Sequence, residues 1–297
     1  MEAIDGFVEA RGRGAGYRSL QQSSGDGSLW GVNDAIVRDR LWLWGHDAGR
    51  HNEGWGLPRP SRIGPVEAAE YLGIENLIMV PYGDGPFVPP AGDFVRYRRM
   101  KRLVWSIVGP VAAASAEERE AVVAMSTDLP NLAGVVMDDF FRVENVEAGR
   151  DAGMLAASEL ARFRDRLRNA PHPLDIWVVL YADQLDLPVR RHLELCDKVT
   201  FWTSQSDVLK DLEANLSRAE ALAPAAGRLL GCYLWNYGKK QPLPLDLMEW
   251  QCERGLAWLR SGRIEGIIFL ASCVCDLDLE TVEWTREWIH RNGGGSA

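Results

Sequence analysis

Cysteine is scarce in this chain, and basic charge is in deficit. Among 297 residues there are five cysteines, Cys196, Cys232, Cys252, Cys273 and Cys275. The number is odd and the spacings irregular, which excludes a disulfide-stapled scaffold and reads as free buried thiols in a reducing compartment. Cys273-Val-Cys275 is too tight for the usual zinc knuckle without two further ligands nearby. Lysine and arginine total 33 against 42 acidic residues, a net charge of −9. A nucleic-acid partner is therefore not expected, since phosphate binding needs a basic face. No run of about 18 apolar residues occurs, so no membrane-spanning helix is expected. The segment Met1–Leu20 lacks the apolar centre of a signal peptide, and a cytoplasmic location is the expectation. Phosphate cradles are missing too, because the glycines of Arg11–Gly16 do not sit between a strand and a helix. There is no Gly-x-Ser-x-Gly elbow, which disfavours acyl transfer. His46, Asp47 and His51 are too loosely spaced to specify a metal; neither metal nor cofactor is expected.

What is present is a large apolar fraction, 46% of residues, and twelve tryptophans. From residue 41 onward, short apolar runs alternate with amphipathic segments. The runs Leu41–Trp44, Asn76–Val80, Leu103–Val108, Ala133–Met137, Ile176–Tyr181, Val199–Trp202, Leu229–Trp235 and Gly266–Leu270 read as strands. Helices are expected over Gly64–Leu72, from Ser115 towards Ser126, and over Gly153–Arg168, Pro188–Leu195, Asp207–Leu222, Asp246–Arg260 and Leu279–Trp288. Ser115 with Glu118 forms a Ser-x-x-Glu capping box. Strands alternating with helices imply a parallel sheet, and eight such units with near-continuous apolar strands imply an α/β fold, a closed (β/α)8 TIM barrel. Residues 41–290 would form the barrel as one domain. Residues 1–40 read as an irregular lead-in, and 291–297 as a flexible glycine-rich tail.

In such barrels the active site lies at the C-terminal ends of the strands. The run from Leu132 to Phe141 carries the strongest signal there. An apolar strand ends abruptly in Asp138 and Asp139, with Phe140 and Phe141 following at once. Adjacent carboxylates repel, and burial raises the cost, so the pair adds nothing to fold stability. It suits a site where a proton is given and taken back: mutual repulsion and partial burial keep one acid protonated while the other stays charged. Successive strand residues point to opposite sides, so both acids face one pocket only if the strand has already ended. The alternative is that Asp139 faces the helix layer and pairs with Arg142. The other strand ends supply His46 and Asp47, Tyr82 and Asp84, Tyr181 and Asp183, Trp202, and Trp235 with Asn236 and Tyr237. Carboxylates, an amide, phenols and indoles in combination suit a polyhydroxylated ligand, so a carbohydrate substrate is expected. Trp44, Trp105, Trp202 and Trp235 stand at predicted strand ends, where they would stack on a sugar or else pack the core.

The order of these motifs resembles that of the family 84 glycoside hydrolases, the O-GlcNAcase and hyaluronidase-type N-acetylglucosaminidases. The similar segments are Met79-Val-Pro-Tyr-Gly-Asp84, Val104-Trp-Ser-Ile-Val-Gly-Pro110, Met137-Asp138-Asp139, Phe201-Trp202-Thr203-Ser204 and Leu234-Trp235-Asn236-Tyr237. There are departures. Tyr82 replaces the family's lysine, Trp44-Gly45-His46-Asp47 replaces its Gly-Phe-Tyr-Gly, and its aspartate beyond strand seven has no clear counterpart. The resemblance implies retaining hydrolysis of a β-linked N-acetylhexosaminide or related sugar. Asp138 would hold the N–H of the 2-acetamido group, whose carbonyl oxygen attacks the anomeric carbon to make an oxazoline. Asp139 would protonate the leaving oxygen and later deprotonate water. Tyr181, Asn236 and Tyr237 would orient the substrate, with Trp202 and Trp235 as the floor. Without an acetamido group, a second carboxylate such as Asp183 or Asp47 would have to act. A non-catalytic carbohydrate-binding barrel and a metal-dependent sugar isomerase or aldolase remain the alternatives.

Overall fold

Parallel strands covered on both faces need apolar residues at nearly every position, and the short runs become such strands. A computed structural model describes residues 36–81, 88–109 and 113–297. The strands are β1 (Leu41–Gly45), β2 (Asn76–Met79), β3 (Arg102–Val108), β4 (Leu132–Met137), β5 (Asp175–Tyr181), β6 (Lys198–Trp202), β7 (Gly227–Tyr233) and β8 (Gly266–Leu270). They pair in sequence order, and β1 closes against β8 to complete the barrel. The helices are α1 (Pro65–Leu72), α2 (Phe94–Tyr97), α3 (Ala116–Asp128), α4 (Val143–Glu147), α5 (Ala157–Arg168), α6 (Arg190–Leu193), α7 (Leu212–Leu222), α8 (Leu245–Arg260) and α9 (Glu280–Asn292). The expected (β/α)8 barrel is the observed fold.

Strand alternation sorts the core into two layers. Leu41 and Leu43 point outward to the helices, while Trp42 and Trp44 point into the barrel. Inside, Trp42 meets Trp177 edge to face at 4.9 Å and Trp44 meets Trp202 at 5.3 Å. Four of the twelve tryptophans thus pack the barrel interior. Trp105 faces outward, packed on Tyr97 at 5.2 Å, and is not at the rim.

The capping box forms as expected: the Glu118 N–H donates to Ser115 Oγ, and the Ser115 N–H to the Glu118 carboxylate. Most boundaries shift by a residue or more from the sequence reading, and three of the shifts bear on the site. Helix α5 starts at Ala157 rather than Gly153, because Gly153 bridges to Phe141 and Asp151 accepts the Ala157 N–H. The segment Ser206–Asp211 is a 3-10 turn leading into α7. Strand β7 ends at Tyr233, so Trp235 lies in the loop beyond it. The tail expected to be flexible is tied down instead, since Val37 and Arg38 donate backbone hydrogen bonds to Gly295 and Gly293.

Candidate active site

At the C-terminal mouth of the barrel lies a cavity of about 540 Å³. Strand β4 delivers the acid pair to it. The strand ends at Met137, and Asp139 takes the left-handed backbone conformation at φ 45°. Among non-glycine residues Asp and Asn tolerate that region best. The turn breaks strand alternation, so Asp138 and Asp139 both line the same cavity. Behind them Phe140 and Phe141 are fully buried, their rings 5.1 Å apart, and anchor the turn.

The two acids differ electrostatically. Burial, and then the charge of Asp139, hold Asp138 well above the usual carboxylate range, against the opposing effects of the Asp139 backbone N–H and the charge of Arg142. Asp139 instead accepts a hydrogen bond from the Tyr181 hydroxyl at 2.9 Å, an interaction that favours a carboxylate. Burial and the neighbouring acidic groups keep the Tyr181 hydroxyl protonated, well above its ordinary range, so it remains a donor. In the unliganded arrangement the pair's proton therefore resides on Asp138.

Across the cavity an aromatic wall runs from β1 to β7. His46 is fixed at the β1–β8 seam: its N–H donates to Ser272 Oγ at 2.9 Å, and Ser272 Oγ donates back to the His46 carbonyl at 3.2 Å. His46 Nδ1 lies 3.1 Å from the Val80 carbonyl, which can only accept, so Nδ1 carries the proton. Burial lowers the His46 pKa to about 4. Burial, then the charges of His46 and Arg50, lowers that of His51 to about 3. His51 stacks on Trp55 with ring centroids 3.6 Å apart, and Trp55 meets Tyr237 edge-on at 4.4 Å. Tyr233 continues the wall, 5.6 Å from Tyr237 and 5.3 Å from the indole of Trp202. The Tyr237 hydroxyl is buried without a hydrogen-bond partner among the described residues.

Lowered histidine values carry a stability consequence. The unfolded chain binds protons near pH 6.5 that the folded chain refuses until about pH 4 and about pH 3. The stabilising contribution of the neutral rings is complete above pH 6.5 and is lost as pH falls towards those values, at about 1.4 kcal/mol per pH unit per histidine. Asp138, raised rather than lowered, acts in the opposite sense. Thermal unfolding of His51→Gln should therefore show a shallower loss of Tm between pH 6.5 and 4.5 than the parent. An unchanged slope would mean that His51 is not held neutral.

Of the residues singled out in the sequence, Trp44, His46, Asp138, Asp139, Tyr181, Asp183 and Tyr237 line the cavity together. Four others do not, and the reasons are local. Trp202 lies beneath the cavity, 1% exposed, with its indole N–H donated to Thr200. Trp235 is buried in the loop after β7 and donates its indole N–H to the Trp55 carbonyl at 3.0 Å, so it braces the wall from behind. Asn236 holds the two neighbouring loops, donating to Ser206 Oγ and accepting from the Lys239 N–H. Asp47 is not among the lining residues; its charge is felt by Tyr97 instead. Tyr82 and Asp84 fall outside the described residues. His51, Trp55, Tyr233, Ser204 and Gln205 also line the cavity, beyond the substrate contacts that the sequence suggests. In the sequence His51 stands out only by its spacing from His46 and Asp47. Tyr233 was hidden by placing the end of β7 two residues late. Trp55 sits in a loop with no periodic pattern. Among the described residues, no group of three or more His, Cys, Asp or Glu side chains is arranged to hold a metal ion.

No protein-family model matches the sequence, and no curated protein matches it. Solved structures do resemble the fold. A GH18 chitinase, ChiB, of Flavobacterium johnsoniae aligns with a TM-score of 0.52 at 11% identity, covering 84% of this chain and 94% of that one. A GH99 endo-alpha-mannosidase of Bacteroides thetaiotaomicron aligns with a TM-score of 0.51 at 9% identity, covering 82% and 85%. A xylanase-A-amylase inhibitor protein, XAIP-III, aligns with a TM-score of 0.51 at 12% identity, covering 86% and 98%. At these identities the likeness establishes the barrel fold, one shared by glycoside hydrolases of several families and by an inhibitor protein.

Proposed function

We propose that the protein is a glycoside hydrolase whose catalytic groups are Asp138 and Asp139, acting on a β-linked N-acetylhexosaminide or a related sugar by substrate-assisted catalysis. The observation that carries this reading is the left-handed turn at Asp139, which opens two neighbouring carboxyls of unlike environment into one aromatic-walled cavity. A coupled acid pair with one proton is what acid–base glycoside cleavage needs.

The resemblance to family 84 gives Asp138 the acetamido N–H and Asp139 the leaving oxygen, whereas the proton of the unliganded pair sits on Asp138. Binding reconciles the two. An acetamido N–H donated to Asp138 favours its anion and passes the shared proton to Asp139, which then stands as the acid. The acetamido oxygen attacks the anomeric carbon as Asp139 protonates the leaving oxygen. Asp139 next takes the proton of the incoming water as the oxazoline opens. Tyr181 holds Asp139 in place through both steps, and Trp55 with Tyr237 bounds the sugar. A second reading, hydrolysis without acetamido participation, is favoured by Asp183, a third carboxyl on the same cavity.

A panel of 4-nitrophenyl glycosides tests this. Hydrolysis of a β-N-acetylhexosaminide that is blocked competitively by a thiazoline, and unaffected by chelator, is the expected result. Thiazoline-insensitive cleavage of sugars lacking the acetamido group would transfer the nucleophile role to Asp183. Saturable sugar binding without turnover would leave a binding barrel, and chelator sensitivity would point to a metal-dependent isomerase or aldolase.

A further inference from the structure

We propose that Gln184 is a positioning residue for the acid pair: its side-chain amide ties the end of β5 to the turn after β4 and so keeps the Tyr181 hydroxyl on Asp139. The meaning of this for catalysis rests on the hydrolase reading, but the device itself is visible in the hydrogen bonds. The last paired residues of β4 and β5 are Met137 and Val178. Beyond them the ladder between the two strands stops, and no backbone pairing fixes Tyr181 relative to Asp139. Gln184 replaces the ladder. Its Oε1 accepts the Tyr181 N–H at 3.1 Å, and its Nε2 donates to the Phe141 carbonyl at 3.1 Å. One amide thus grips the residue bearing the hydroxyl and, two residues past Asp139, the turn bearing the carboxylate.

Only an amide of this length serves both ends. A carboxylate would accept from Tyr181 but repel the Phe141 carbonyl, and an apolar side chain would do neither. Gln184 is absent from the cavity wall, so it has no reach to a ligand and acts through Tyr181. The far side of the turn is held independently: Met154 donates to the Phe140 carbonyl and Arg142 to that of Ala152. Loss of Gln184 should therefore loosen the approach of β5 to the turn without unfolding the turn.

The test is a carboxyl titration of the full-length chain with 13C-labelled aspartate, followed by NMR in the parent, Tyr181→Phe, Gln184→Met and the double variant. Removing a hydrogen bond to a carboxylate should move the pair's titration to higher pH by about one unit in Tyr181→Phe. Gln184→Met should move it in the same direction, and the double variant should move it no further than Tyr181→Phe alone, because both act through one hydrogen bond. Gln184→Ala serves if the methionine variant folds poorly. A Gln184 variant that leaves the titration in place, or one whose shift adds in full to that of Tyr181→Phe, would overturn the proposal. A purely structural role would lower Tm without moving the titration. If the titrations behave as expected while the parent hydrolyses no glycoside, the positioning device stands and the hydrolase reading fails.

Discussion

Replacing Asp139 with Asn should lower kcat/KM by roughly 10²–10⁴-fold while leaving the fold intact, the range typical for loss of a positioned acid–base group. The amide keeps the volume and accepts the Tyr181 hydrogen bond, but it neither donates a proton to a leaving oxygen nor takes one from water. Asp138→Asn should fall by a comparable factor, since an amide does not take up the charge that passes the proton to Asp139. Its stability should move the other way. Asp138 is raised by burial and by the Asp139 charge, so the folded chain holds a proton there that the unfolded chain releases in the ordinary carboxylate range. The parent accordingly loses stability as pH rises through that window, and Asp138→Asn does not. The Tm of the variant should exceed that of the parent by a margin that grows as pH rises above the ordinary carboxylate range, at about 2–4 °C per kcal/mol relieved. Scanning calorimetry alongside steady-state rates reads both effects. An unchanged rate in either variant would remove the pair from the chemistry.

The largest effect on stability is expected from Gly231→Ala on β7. A Cβ built at Gly231 would lie 2.0 Å from the six-membered ring of Trp202. That ring is held on its other sides by Trp44 and Tyr233 at 5.3 Å each and by its N–H bond to Thr200. No flexible side chain yields, so one methyl group forces the indole or the strand to shift. The expected loss is about 3 kcal/mol, which for a barrel of this size lowers Tm by roughly 6–12 °C. Trp44 and Tyr233 line the cavity, so the strain reaches the site as well. Combining Gly231→Ala with Trp202→Phe should recover part of the loss, because the smaller ring vacates the clash. If Gly231→Ala melts within 2 °C of the parent, by the same scaling, the flat seat of Trp202 over β7 is wrong.

The barrel was legible because burial on both faces writes itself as apolar runs: β8 was read at its observed limits, Gly266–Leu270, and the Ser115–Glu118 box marked the start of α3. The position of the acid pair was legible for the same reason, an apolar run that stops at charge. What lay outside its reach was direction. Trp202 and Trp44 both follow from strand-end positions, yet only Trp44 lines the cavity, while Trp202 packs edge-on against it. The left-handed turn at Asp139 leaves no periodic trace, although it alone lets both acids face one way. The His51–Trp55 stack belongs to an irregular loop held in place by Trp235 in the loop after β7, 180 residues later in sequence, and contacts of that range carry no local signal.

A crystal structure of Asp139→Asn soaked with a glycoside that the parent hydrolyses is the most direct measurement. An intact sugar should lie in the cavity, with its leaving oxygen within hydrogen-bond reach of residue 139 and its ring bounded by Trp55. A sugar seated elsewhere on the barrel, or a pair of acids turned away from the bound ring, would contradict the assignment of Asp138 and Asp139 as the catalytic groups.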